Sequence, residues 1–167
     1  MRLPKIFIEK ITVGLVLVFI SAGISLFIKD ALDTKTPTSA LPILTVKCNS
    51  VPIASDSVYM AEYQWNFWTS VERMVNNYSP SDTKEQVVAT NVLPNIPIDI
   101  EYSRDAISTT VSRAVNTDSS DFLVIEPDKT GTIYTPPQPG SYIYRVEASF
   151  DRGSVVYYFA ISVTEMY

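Results

Sequence analysis

The chain has 167 residues, 46% of them hydrophobic, with a formal net charge of −5, one Cys and no His. That is enough apolar material for one ordinary domain with a core, and it excludes a chain disordered by composition. The missing His removes Ser–His–Asp and Cys–His catalysis along with the commonest transition-metal ligand, the single Cys excludes an internal disulfide, and the acidic balance argues against a nucleic-acid partner, whose phosphates it repels.

Residues 1–10 form a short basic head. Residues 11–28, ITVGLVLVFISAGISLFI, run without a charge. At about 1.5 Å per residue a helix of that length spans about 27 Å, enough for a bilayer core. A cleaved signal peptide is the competing reading. The apolar run is long for one, however, and no clean Ala-x-Ala follows it. Residues 1–30 carry Arg2, Lys5, Lys10 and Lys29 against Glu9 and Asp30, whereas the rest of the chain is net acidic. Basic residues ahead of the span place the N-terminus in the cytoplasm and the remainder outside. The expectation is a single-pass cell-membrane protein, with secretion after cleavage as the alternative. Residues 29–41, KDALDTKTPTSAL, read as a tether, with helix extending as far as Asp33 an option.

Residues 42–167 read as an extracytoplasmic domain. Residues 42–48 make a first strand, and 57–66 alternate through Tyr59, Ala61, Tyr63 and Trp65. Residues 67–77 carry Phe67, Val71, Met74 and Val75 at helical spacing, which suggests a helical turn or an irregular crossover, while Trp68 and Val71 fit a strand nearly as well. Residues 78–84, YSPSDTK, read as a loop and 85–93 as a short edge strand. Residues 94–101 alternate through Ile96, Ile98 and Ile100, and their two prolines suit an edge or a strand start. Strands follow at 105–115, 122–126 and 130–135.

Residues 139–163, PGSYIYRVEASFDRGSVVYYFAISV, alternate on both sides of Asp151-Arg152-Gly153. This is an antiparallel hairpin in which Gly153 supplies a positive φ. The spacing of 138–144 matches a tyrosine corner, with Tyr142 bonding back to the backbone. The fold class is therefore all-β: an immunoglobulin-like antiparallel sandwich of about seven to nine strands, preceded by one N-terminal transmembrane helix, with Trp65 or Trp68 as its core Trp.

No catalytic constellation emerges. There is no Gly-rich phosphate loop, Asp99 and Glu101 read as a solvated strand face, and Asp118, Asp121, Glu126 and Asp128 match no calcium loop. No cofactor or metal is expected. Cys48 reads as a buried small hydrophobe, with a reactive thiol as the alternative. Neighbours Phe67 and Trp68 cannot both point inward from one strand. An exposed Trp68, with Tyr63 and the hairpin's outer Tyr158, forms the candidate surface for a partner or ligand.

The Tyr63-x-Trp65 strand, the Pro-rich stretch before Ile98-Asp99-Ile100 and the closing hairpin resemble small extracytoplasmic proteins of Bacillus-type bacteria. Many of those are lipoproteins or carry one membrane helix. The resemblance is loose over 58–164 and close over 139–163. Two features depart from it: no lipobox precedes Cys48, and the cysteines often paired in that family's middle region are missing. The resemblance implies fold and location and brings no activity with it. The functional expectation is a non-catalytic binding or structural module of the cell envelope. It would be held in the cell membrane through residues 11–28 and face an envelope protein or wall polymer. A regulatory ectodomain acting on another membrane protein is the alternative, and an envelope hydrolase the remote one.

Overall fold

The computed structural model describes residues 5–76, 78–115 and 121–164, without the side chains of 5–10. Asp118 and both ends of the chain lie outside the described residues. The chain divides into two compact units, one made of the N-terminal residues through Ala40 with Phe67–Ser70, the other of Leu41–Asn66 with the rest.

The first unit is built on α1 (Lys5–Asp33), followed by a short helix α2 (Pro37–Ala40). Within α1, Ile11–Asp33 is long and apolar enough to cross a membrane. Val13, Leu17, Phe19, Ile24 and Phe27 are all more than half exposed around its circumference. Such a helix has no polar face to offer water. Its two serines satisfy themselves within the helix: Ser21 donates to the Val18 carbonyl and Ser25 to the Ser21 carbonyl, both at 2.9 Å.

Asp30 interrupts this apolar surface. It is only 4% exposed, because its carboxylate holds the Phe67–Ser70 segment. Oδ1 accepts the Trp68 amide at 3.0 Å. Oδ2 accepts the Thr69 amide at 3.2 Å and the Thr69 hydroxyl at 3.1 Å. Hydrogen bonds to a charged acceptor are the stronger kind, about 1.5–3 kcal/mol each. Helix continues to Asp33, Thr34 bonds back to the carbonyls of Asp30 and Ala31, and α2 follows.

The second unit is two sheets. The narrow sheet contains β1 (Leu44–Cys48), β2 (Val51–Pro52), β6 (Pro97–Tyr102) and β9 (Ile133–Tyr134), in the order β2-β1-β6-β9. The wide sheet contains β3 (Val58–Asn66), β4 (Val71–Met74), β5 (Thr90–Val92), β7 (Ser108–Ala114), β8 (Phe122–Val124), β10 (Gly140–Phe150) and β11 (Gly153–Val163). Its order is β4-β3-β11-β10-β7-β8, and β5 lies parallel to the end of β11. Four of the eleven strands have only two or three residues, too short for a periodicity to register, which is why fewer strands are expected from the sequence.

The β10–β11 hairpin is paired at every position from Gly140↔Val163 to Phe150↔Gly153, and Gly153 has φ +155°. Its inner face carries Tyr144, Val146, Phe150, Val155, Phe159 and Ile161, all buried. Tyr144 stacks on Phe159 with centroids 4.6 Å apart, and Trp65 meets Phe150 edge-on at 5.9 Å. Tyr102 of the narrow sheet reaches Phe150 at 5.4 Å and so ties the layers together. Trp65 is the core Trp, fully buried. The tyrosine corner is present: the Tyr142 hydroxyl donates to the Gln138 carbonyl at 2.9 Å.

Residues 67–77 contain a hairpin turn and β4, because the Asn66↔Val71 pairing closes the chain onto β3. Residues 78–84 are not a loop. Ser79 caps α3 (Pro80–Gln86) in a reciprocal box with Asp82, and Pro80 opens the first turn. Strand β6 starts at Pro97, and β9 pairs with its first two residues, Pro97 and Ile98.

The outer face of the hairpin is not fully wet either. Ile143, Tyr158 and Ala160 pack with Ala61, Val87 and Ala114, and Tyr59, Tyr78 and Phe122 close over them. A bulge where β3 meets Val156 and Tyr157 leaves Ala61 unpaired. It turns Ala61 to this outer cluster while Trp65 remains in the core.

Candidate functional site: the open flank of the sandwich

Each sheet ends on a short strand at the same flank, β8 for the wide sheet and β9 for the narrow one. Residues 125–132 cross between them. Asp128 shapes this crossing: one carboxylate oxygen accepts the Thr130 amide at 2.8 Å, the Thr130 hydroxyl at 2.6 Å and the Thr132 amide at 3.0 Å. Those bonds, the Thr130 hydroxyl first, hold its carboxyl below the ordinary value. Gly131, at φ +82°, completes the turn.

The crossing stands off the layers and leaves a cleft of about 580 Å³. Ile98 and Val111 form buried parts of its lining, Val124 and Ile133 belong to the edge strands, and Asp99 and Glu126 are its ionisable lining residues. On β8, Leu123 and Val124 are exposed at 63 and 60%, with Val124 at the cleft itself. Large apolar side chains together with the open backbone of an edge strand make a surface that protein segments can pair with. The cleft's ionisable lining groups are both acids, and no group of three metal-ligating side chains occurs among the described residues. The arrangement supports binding by shape and backbone pairing.

A second cleft of about 290 Å³ lies by Cys48, Val92 and Ile96. Burial, with Asp99 adding to it, pushes the Cys48 thiol up to about 11. That favours the small-hydrophobe reading over a reactive thiol.

The residues expected from the sequence do not form one surface. Trp68 is 68% exposed on the Phe67–Ser70 turn, while its neighbour Phe67 is buried. Tyr63 is half-buried on β3, opposite Met74 and Val155. Tyr158 is a correction. It is 2% exposed, its ring meets Tyr78 and Phe122, and its hydroxyl donates to the Tyr78 carbonyl. The residue looked outward only while nothing was known to cover that face.

Glu101 is engaged by Lys47 at 2.6 Å, in keeping with a solvated strand face. Sequence reasoning missed Leu123 and Val124, because a three-residue strand carries no alternation and edge position depends on distant partners. The chain matches no family model, no curated protein and no solved structure.

Proposed function

We propose that the chain is a membrane-anchored, non-catalytic binding module of the cell envelope, spanning the membrane once through α1 with the sandwich outside. Its binding surface is the open flank, and its partner is an extended segment of another envelope protein that adds to β8 and seats side chains in the adjoining cleft. The observation carrying this reading is the coincidence at one flank of two short edge strands, an intervening cleft and the two exposed apolar side chains of β8, Leu123 and Val124. Strand addition draws affinity from main-chain hydrogen bonds and specificity from pockets for alternate side chains. The basic head and acidic domain support the orientation.

The test is site-specific photocrosslinking in native membranes. A crosslinker at Val124 should capture one protein, while the same group at Val88, 62% exposed away from the cleft lining, should not. Val124→Lys, which puts a charge on the edge, should abolish capture from a second crosslinker at Leu123. Equal capture from Val88 and Val124, or capture indifferent to the lysine, refutes the assignment.

A further inference from the structure

Trp68 sits on a segment fixed to the end of the apolar helix. Asp30 lies two residues beyond Ile28, the last residue of the uncharged run. Two residues advance a helix by about 3 Å. The Asp30 carboxylate holds the Trp68 amide directly, at 3.0 Å, and grips Thr69 with its other oxygen. The Trp68 main chain is therefore fixed within a few ångströms of the level at which the apolar surface ends. With the helix in a bilayer, that level falls in the headgroup layer, about 5–8 Å deep on each side of the hydrocarbon.

The side chain at this level is an indole 68% exposed beside a buried Phe67. Trp is enriched at the membrane interface because its ring is apolar and its N–H finds a partner in the headgroups. Burying Asp30 against backbone amides removes a charge from the helix surface just where Trp68 is presented. A solvent-facing aromatic held here by a carboxylate has no explanation from packing within its own unit.

We infer that Trp68 is an interfacial membrane anchor: the Phe67–Ser70 turn lies in the headgroup layer, with Asp30 as the positioning residue that holds it there. This rests on the reading of Ile11–Asp33 as a membrane span. Trp68 is then a lipid contact and forms no part of the protein-binding flank.

The experiment uses the full chain in phosphatidylcholine vesicles, either plain or with acyl chains brominated near the headgroup. Trp65 is buried and serves as an internal reference. Wild type should lose much of its emission in the brominated vesicles, and Trp68→Phe should lose far less. The wild-type minus variant spectrum should be blue-shifted relative to the same difference in denaturant. Asp30→Asn should reduce the quenching while the chain stays in the vesicles.

Equal fractional quenching of wild type and Trp68→Phe, in chain that resists alkaline extraction, overturns the anchor and leaves the span intact. Chain removed from the vesicles by alkali overturns the span and the anchor with it.

Discussion

Replacing Gly153 by Ala tests how tightly the hairpin is locked to β3. A Cβ built on Gly153 falls 1.9 Å from the Gln64 carbonyl oxygen, with the Gln64 carbon at 3.0 Å and the Trp65 Cα at 3.1 Å. The oxygen cannot swing aside. Gln64 is paired to Ser154 on one side and Arg73 on the other, and two residues along the Asn66 amide donates to the Arg152 carbonyl at 2.7 Å. The strands must separate, and the new residue must also hold φ near +155°. Positive φ costs a non-Gly residue about 1–2 kcal/mol, and overpacking adds about 1–3 kcal/mol.

The sum, about 2–5 kcal/mol, is a large part of the about 5–15 kcal/mol that holds a domain together. At about 2–4 °C per kcal/mol, Tm should fall by about 4–20 °C. Gly131→Ala is the control: it has φ +82° and nothing within 4 Å, so it pays the backbone term alone, about 1–2 kcal/mol. The assay is near-ultraviolet circular dichroism of the full chain in detergent, which follows the aromatic core and ignores the membrane helix. If Gly153→Ala and Gly131→Ala differ by less than about 0.5 kcal/mol, a scatter expected of independent surface changes, the clash is not real.

Three further outcomes follow from individual contacts. The Tyr157 hydroxyl donates to the Pro42 carbonyl at 2.5 Å in a buried setting. Tyr157→Phe should cost about 1–3 kcal/mol, and Tyr142→Phe, whose bond is exposed, about 0.5–1.5 kcal/mol; chemical denaturation that ranks them the other way counts against the buried tie. Ser79→Ala should cost about 1 kcal/mol by loss of the α3 cap. Hydrogen bonds from Ser79 hold the Asp82 carboxyl below its ordinary 3.8. Its contribution is therefore complete above that pH and lost as pH falls through the lower folded value. Amide exchange in α3 should accelerate in that acid range in wild type and show a smaller step in Ser79→Ala, which keeps only the bond from the residue 79 amide to Asp82. Cys48, pushed up to about 11, should resist iodoacetamide at pH 8 until denaturant is added; prompt labelling of native chain would contradict its burial.

Strict alternation over eleven residues on each side of a Gly-containing turn made β10 and β11 legible, and the Tyr142 contact followed from local spacing. The charge-free run gave α1. Errors arose where the deciding contact was distant. Tyr158 and Ile143 occupy the face that alternation assigns to water, yet Val87, just past α3, and Phe122 from β8 bury it. Pro97 suits an edge as well as a strand start, and which of the two it marks depends on β9, whose partners in β6 are Pro97 and Ile98.

The helix α3 is a different kind of miss. Ser79, Pro80 and Asp82 stand at the positions of a cap, a first-turn proline and its reciprocal partner, so the signal was in the chain and composition masked it. The flank was illegible for a third reason: exposure of Leu123 and Val124 follows from where the wide sheet stops, and no local pattern encodes that.

Strand β11 lies between β10 and β3, and it follows both in the chain. Its pairing with β10 is immediate, whereas Tyr63 meets Val155 only after about 90 intervening residues. A nascent chain therefore makes β3 and β4 long before the strand that joins them to β10 and β7, and the wide sheet exists as two unconnected pieces until β11 is synthesised. Closing so long a loop is the slow step in forming such a sheet. During that interval Trp65 and the edge of β3 lack their cover, and a truncation anywhere before Gly153 leaves them exposed. Completion of the wide sheet thus waits on the arrival of one late strand.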